Sequence, residues 1–140
     1  MIHVAQWPAV KELHQLASRH YAFEGQCFVL AAGAFLRLSD VLEGFASLGV
    51  PGSPAAALLE GLPGDPGTVI HIGGSAVIAP DTNYVAGPLF DAAGILTAEL
   101  DLALVTEGHL AMDTDGHYAR PDVFRLEVDE RPQRGVVWKG

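Results

Sequence analysis

Unbroken hydrophobic runs and helix-spaced hydrophobic positions follow one another along the chain. The first run, Ile2–Trp7, is closed by Pro8 and predicts a buried β-strand. Residues 27–32 form a second run, Cys-Phe-Val-Leu-Ala-Ala, which is typical of a central strand covered on both faces. The chain therefore opens with two strands separated by one intervening segment.

That intervening segment, residues 9–24, has the spacing of an amphipathic helix. Its apolar side chains are expected to face the core; they are Leu13, Leu16, Ala17 and Phe23. Most of its polar side chains fall on the opposite side; they are Lys11, Glu12, Gln15 and Arg19. Gly25 then supplies the C-terminal stop of the helix.

Residues 33–67 are rich in Gly, Ala and Pro and predict an excursion from the sheet, not a second domain. Asp40 and Glu43 have the spacing of a capping box, which predicts the start of one short helix. Ser53 with Pro54 predicts the start of another, which Gly61 would end.

Residues 68–79 predict two strand segments separated by a break at Gly73 and Gly74. A turn at residues 80–83 leads to a short strand at residues 84–86. These segments extend the sheet that the first two strands begin.

The final third of the chain predicts two more strands around one helix. Residues 95–100 predict a strand, and Asp101 is expected to cap a helix that runs to about Met112. Residues 123–128 alternate between apolar and polar side chains and predict a last strand. The fold class is therefore α/β, with α and β elements in layers (α+β layers).

Composition and charge exclude several classes of partner. The formal net charge is −9 and the eight basic residues are scattered, so neither nucleic acid nor an anionic membrane is an expected partner. Hydrophobic residues make up 49% of the chain and charged residues only 18%. A small free-standing domain should be more polar. Two explanations of the high hydrophobic fraction fit equally well: the chain is simply rich in Ala, or another polypeptide covers part of its surface.

Cys27 is the single cysteine, so no internal disulfide is expected and a reducing compartment is favoured. The start of the chain has neither the basic region nor the apolar core of a signal peptide. No stretch approaches the roughly 20 apolar residues of a membrane span. These features predict a cytoplasmic protein.

Few residues offer catalytic or metal-binding chemistry. Cys27 follows a helix C-terminus and opens an apolar strand, so a core thiol is favoured over a nucleophile. The histidines lack the spacing of a zinc helix and are interpreted as core or surface residues; they include His14, His20, His71 and His109, the last near Glu107. No metal site and no cofactor are predicted.

Two glycine-containing motifs are also interpreted as structural. The segment from Asp113 through Asp115 to His117 resembles part of a calcium loop, but it lacks the closing glutamate, which favours a turn. The Gly73-Gly74-Ser75 motif could approach a phosphate closely, but no Gly-Lys-Ser/Thr follows it. A bend in a strand is favoured there.

Five blocks in order nevertheless resemble nitrilases of the carbon–nitrogen hydrolase superfamily. The match spans nearly all of residues 2–128 and corresponds to the C-terminal half of such an enzyme. The blocks are Ile-His-Val-Ala-Gln-Trp-Pro at 2–8, Glu-Gly-Gln-Cys-Phe-Val at 24–29, Gly-Gly-Ser-Ala-Val-Ile-Ala-Pro at 73–80, Ala-Gly-Pro-Leu at 86–89 with Gly-Ile-Leu-Thr-Ala-Glu-Leu-Asp at 94–101, and Gly-His-Tyr-Ala-Arg-Pro-Asp-Val-Phe at 116–124.

The resemblance implies the C-terminal half of an α-β-β-α sandwich, with residues 1–130 as the C-terminal part of a hydrolase domain and residues 131–140 as a polar tail. Family members usually form dimers or longer assemblies. Their reaction converts a nitrile to a carboxylic acid and ammonia through a cysteine thiolate, a lysine that stabilises the thioimidate and a glutamate that acts as general base.

In the family, those three catalytic residues precede the strand that Ile2–Trp7 matches, and Cys27 matches a structural position. The resemblance therefore carries no catalytic residue into this chain. Trp7 and Pro8 match positions near the substrate pocket and are the only substrate-binding candidates. The chain is expected to be inactive and unstable alone, to aggregate, or to pair with another chain.

Three interpretations are compatible with these expectations. The chain is a truncated nitrilase, one chain of a split hydrolase completed in trans by an N-terminal partner, or a non-catalytic interaction and assembly module. A small-molecule nitrile is a ligand only in the first two cases. A fourth interpretation, an independent hydrolase using Cys27, has the least support because nothing in the sequence activates that thiol.

Overall fold

The computed structural model describes residues 1–113, 116–132 and 135–136. Within this part, five strands and four helices follow one another and confirm the expected α/β class. They are β1 (Ile2–Trp7), α1 (Glu12–Glu24), β2 (Phe28–Gly33), β3 (Phe35–Arg37), α2 (Leu38–Ala46), α3 (Pro54–Glu60), β4 (Val69–Ile78), β5 (Tyr84–Phe90) and α4 (Ala103–Ala111).

The five strands form one sheet in which β4 is the longest member. β1 pairs with β2 in parallel, from Ile2 opposite Phe28 to Trp7 opposite Gly33. Helix α1 is the crossover that a parallel pair requires. β2 and β3 pair with β4 in antiparallel fashion, and β5 also pairs with β4.

Helix α1 covers one face of this sheet. The buried cluster beneath it joins the helix to β2 and β4; its members are Ala22, Cys27, Val29, Ala76 and Ile78, with Ala5 of β1 packed against them. The central position predicted for residues 27–32 is confirmed, because β2 is paired on both edges. The predicted cover on both faces is not found among the described residues, since Leu30 is half-buried and Ala32 is exposed.

The prediction for the buried face of α1 is wrong. Gln15, Ser18 and Ala22 face the sheet, whereas Leu13 and Leu16 are 77% and 62% exposed. The two polar side chains are tolerated inside because both make hydrogen bonds there. The apolar stripe of the helix is therefore left without cover among the described residues.

The expected burial of β1 is also wrong. Ile2 and Val4 are 48% and 58% exposed, because one face of β1 and its outer edge have no neighbour within the described part of the chain. The strand itself has the predicted bounds. An edge strand with exposed apolar side chains offers a surface to which another strand can add.

The excursion predicted at residues 33–67 contains two short helices, as expected, but it also contains β3, which pairs with β4 in the sheet. Ser53 caps α3 by accepting a hydrogen bond from the Ala56 amide at 3.2 Å. Helix α2 begins three residues earlier than expected, at Leu38, so its N-cap is Arg37 and not Asp40. Asp40 instead accepts from the Arg37 amide at 2.7 Å.

Two predicted strands near the end of the chain do not form, although both ranges are described. Residues 95–100 and 123–128 have extended or irregular backbone without ladder partners, and Ile95 is 93% exposed. Alternation alone predicts a strand, but a strand forms only where a neighbour accepts its hydrogen bonds. Helix α4 does follow Asp101, whose carboxylate accepts from the Ala103 amide at 3.0 Å.

None of the helices in residues 1–113 and 116–132 has both the length and the apolar character needed to cross a membrane.

Candidate functional site

The two predicted substrate-binding residues lie at the carboxyl end of β1. Trp7 is half-buried, and its indole Nε1–H donates to the Ser18 hydroxyl at 3.3 Å. The His14 ring packs against the indole at a centroid distance of 4.7 Å. Pro8 is exposed next to it. Helix α1 therefore fixes the orientation of Trp7, while Pro8 begins the turn that leaves the strand.

That turn packs against the end of β2 and the middle of β4, which pair in antiparallel fashion. The Val10 amide donates to the Gly73 carbonyl at 2.7 Å, and the Ala34 amide donates to the Pro8 carbonyl at 3.1 Å. A Cβ on Gly33 would lie 2.7 Å from the Gly73 carbonyl oxygen. Because Gly33 has no side chain, the turn can approach β2 this closely.

Gly73 and Gly74 make the bend that the motif predicted, but they do not separate two strands, because β4 runs unbroken from Val69 to Ile78. Their φ angles are +78° and +91°, a conformation that favours glycine, and the pairing of β4 with β5 shifts register beside them. Ser75 then bridges to β2, because its hydroxyl accepts from the Gly33 amide at 3.0 Å and donates to the Gly33 carbonyl at 3.1 Å. The Gly-Gly-Ser motif therefore joins strands and does not form a phosphate loop.

A buried glutamine ties helix α1 to the same bend. The Gln15 side-chain amide donates to the Gly74 carbonyl at 2.7 Å and to the Val10 carbonyl at 3.2 Å. The Tyr84 hydroxyl donates to the Gln15 Oε1 at 2.9 Å. Sequence reasoning placed Gln15 on the solvent side, because nothing in the spacing of the helix indicates the tertiary hydrogen bonds that bury it.

A small cleft opens beside Pro8. It encloses about 160 Å³ and is lined by Pro8, Ala9, Lys11, His14 and His71. The Lys11 amide donates to the His14 Nδ1 at 3.2 Å. The His71 Nδ1 is buried and has no hydrogen-bond partner among the described residues, an arrangement that costs about 1–3 kcal/mol when nothing compensates it.

Cys27 is a core thiol, as predicted. Its side chain is fully buried in the cluster beneath α1. Burial raises the pKa of the Cys27 thiol above its ordinary value, while the charge of the N-terminus acts to a smaller extent in the opposite direction. A thiol with a raised pKa and no access to solvent is a poor nucleophile.

Residues 116–118 form a turn after α4, which is the part of the predicted turn region that the structure describes. The Asp113 carboxylate accepts hydrogen bonds from the amides of His117 at 3.1 Å and Gly116 at 2.9 Å, and these bonds lower the pKa of that carboxyl. Asp115 lies outside the described residues. Within the described ranges no three His, Cys, Asp or Glu side chains converge in a way that could hold a metal ion.

Comparison with known proteins decides the family. The model of the carbon-nitrogen hydrolase family matches residues 6–109, which includes β1 from Gln6 onward, the glycine bend and most of α4. The chain belongs to the carbon–nitrogen hydrolase family. Its sheet and helices are consistent with a fragment of the α-β-β-α fold that the resemblance implied.

Within this family the chain is similar to nitrilases. It is 42% identical over 118 residues to a nitrilase of Bradyrhizobium diazoefficiens, covering 84% of this chain and 33% of the relative. An arylacetonitrilase of Trametes versicolor is 41% identical over 81% of this chain and 32% of its own length. An aliphatic nitrilase of Sinorhizobium fredii is 40% identical over 85% and 34%.

The chain therefore spans about a third of the length of the curated relatives it matches, as 33%, 32% and 34% of their lengths are covered. The predicted family and its partial coverage are confirmed. Two of these relatives are named for different nitriles, one arylacetic and one aliphatic.

Proposed function

We propose that this chain is the C-terminal portion of a nitrilase and contributes to nitrile hydrolysis only when an N-terminal portion completes the fold. In the complete reaction one nitrile and two waters give one carboxylic acid and one ammonia. The observation that carries the proposal is the 42% identity to a nitrilase over 84% of this chain.

The family resemblance supports the proposal that this chain contributes to hydrolysis only when an N-terminal portion completes the fold. In the family, the glutamate, the lysine and the nucleophilic cysteine belong to a segment that precedes the strand matched by β1. The buried Cys27 does not offer a replacement, because burial holds its thiol in the protonated form. We infer that the described residues of this chain position the pocket and that another segment supplies the reacting groups.

We propose that this other segment docks on the exposed surface of β1. The outer edge of β1 has no strand beside it among the described residues, and Val4 is exposed. Val4 also borders a groove of about 240 Å³ that Leu30, Val77 and Leu96 line on the face of the sheet opposite α1. A second sheet covering this face would bury the exposed Val4 and the half-buried Leu30 and Leu96, and each Å² of apolar area removed from water would contribute about 25 cal/mol.

In the completed enzyme Trp7 and Pro8 would form one wall of the substrate pocket. Ser18 and His14 hold the Trp7 indole in one orientation. A rigid aromatic wall at the carboxyl end of a strand suits the apolar part of a nitrile.

The experiment is a complementation assay. This chain is co-expressed with the N-terminal two-thirds of the Bradyrhizobium nitrilase as a separate polypeptide, and ammonia release is measured with an arylacetonitrile and an aliphatic nitrile. We expect ammonia only when both polypeptides are present. Ammonia from this chain alone, or none from the pair when the two co-purify, would contradict the proposal.

A matched pair of variants tests the docking surface. Val4→Arg places a charge on the exposed face of β1 and is expected to abolish complementation, because the charge would be buried without a partner. Leu58→Arg places the same charge on the exposed side of α3 and should leave complementation unchanged. Co-purification without activity would instead favour a non-catalytic assembly module.

A further inference from the structure

We propose that the groove between α2 and α3 binds a small organic ammonium ion, a cation with a hydrocarbon body. The groove encloses about 460 Å³ and is formed by the C-terminal half of α2, the loop after it and α3. Small-molecule sites usually enclose roughly 300–1,000 Å³. No described lining residue comes from β1 or α1, so this inference does not rest on the proposed nitrile hydrolysis.

The walls of the groove are apolar. Leu42 and Phe45 of α2, Val50 of the loop and Leu59 of α3 line it, and all four keep part of their surface exposed to solvent. A hydrocarbon body in the groove would therefore remove apolar surface from water. An aromatic ring also attracts a cation that lies over its face, so Phe45 favours a cationic ligand over an anionic one.

The charge of this part of the chain is entirely negative. Residues 38–70 contain no Lys, Arg or His and four acidic residues, which are Asp40, Glu43, Glu60 and Asp65. Among the described residues that line the groove, Glu60 alone has a charged side chain. No described Lys, Arg or His forms an ion pair with its carboxylate. Negative charge beside apolar walls concentrates the field and attracts a cation.

The end of helix α2 adds to this negative potential. Phe45 and Ala46 are the last residues of α2 and line the groove. The C-terminus of a helix carries a partial negative charge, which a basic residue in the last turn would offset. Helix α2 has no basic residue there. A bound ammonium group would offset both this partial charge and the Glu60 carboxylate.

These features favour an organic monocation over a metal ion. Calcium takes about six to eight oxygen ligands, and magnesium requires near-octahedral oxygen geometry. The described lining of the groove offers one carboxylate, from Glu60. An ammonium group needs only hydrogen-bond acceptors, of which that carboxylate is a charged one. Its hydrocarbon body can then lie against Leu42 and Leu59.

The test measures binding of phenethylammonium to the 140-residue chain, without a nitrile or a second polypeptide. Equilibrium dialysis with the labelled probe at constant ionic strength gives the affinity and the number of sites. We expect saturable binding of about one probe per chain.

A matched pair of variants locates the site. Glu60→Gln keeps the shape of the side chain and removes its charge, so it should weaken binding about tenfold. Because Glu60 is exposed, this variant is expected to fold. Glu43→Gln removes the same charge from an exposed position of α2 that does not line the groove, and it should leave the affinity unchanged.

Absence of saturable binding would overturn the proposal, and so would any of three further results. If neutral 2-phenylethanol bound as tightly as the probe, the groove would not recognise charge. If ammonium chloride displaced the probe at equal concentration, the apolar walls would not select an organic body. Equal affinities of Glu60→Gln and Glu43→Gln would mean that only the general negative charge of the chain attracts the probe.

Discussion

Gly74 lies where the backbone of β4 passes beneath the turn that follows β1. Its φ is +91°, and a Cβ there would collide with the Val10 carbonyl oxygen and with the Phe90 ring. The positive φ and the collision both disfavour any other residue at this position. The left-handed conformation is strained for L side chains, and moving the backbone of the turn would cost free energy.

Gly74→Ala is therefore expected to lower the free energy of unfolding by about 2 kcal/mol or more. Gly44 is the matched control, because it lies inside α2 and a methyl group added there would meet nothing within 4 Å. Gly44→Ala should raise the free energy of unfolding by about 0.5–1 kcal/mol. Urea titration of both variants measures the difference, and equal effects would show that the bend at Gly74 is not rigid.

Cys27 gives a second prediction for a single residue. Its thiol is buried and its pKa is raised by burial, so Ellman's reagent should modify it slowly in the folded chain and at once in denaturant. The unfolded thiol ionises at lower pH than the folded one, so stability should fall as the pH rises through the unfolded value. Rapid modification under native conditions would mean that the cluster beneath α1 opens readily.

Gln15 links helix α1 to the glycine bend in β4. Gln15→Leu removes two hydrogen bonds to backbone carbonyls and leaves the Tyr84 hydroxyl without its acceptor. We expect a loss of about 2–3 kcal/mol in the free energy of unfolding. Leu13→Gln, on the exposed stripe of the same helix, should change that free energy by less than about 0.5 kcal/mol. Chemical denaturation of the two variants gives the comparison.

The same helix shows what a hydrophobic pattern can and cannot predict. The existence of α1 and its end at Glu24 followed from spacing and from Gly25. Its orientation did not, because Gln15 and Ser18 are buried only by virtue of acceptors and donors that β4 and β1 bring from elsewhere in the sequence. Tertiary hydrogen bonds of this kind leave no periodic signal.

Strands depend on partners in the same way. Residues 28–33 and 69–78 have neighbours and form β2 and β4, whereas residues 123–128 have the alternation of a strand but no neighbour among the described residues. Prediction of the candidate site from the sequence has the same limit. Trp7 and Pro8 were predicted from the resemblance, but the contribution of His71 to the adjacent cleft follows from the pairing of β3 with β4.

For the molecule as a whole, the exposed apolar surface predicts association. Apolar side chains remain uncovered on β1, on α1 and along the segment after residue 117; they include Val4, Leu13, Leu16, Phe124 and Leu126. The 14.8 kDa chain should therefore sediment as a larger species whose mass rises with concentration. Analytical ultracentrifugation measures this mass, and a monomer with a sharp, reversible melting transition would contradict the prediction.

The parallel pairing of β1 with β2 has a consequence for the order of folding. The strands are joined through a single helix, so all contacts of this unit lie within residues 1–33, and closing the chain around it costs little entropy. The contacts of β4 with β2 span more than forty further residues and should form later. During synthesis the β1–α1–β2 unit would leave the ribosome before β4, so the close approach of Gly33 to Gly73 would form only after β4 had been synthesised.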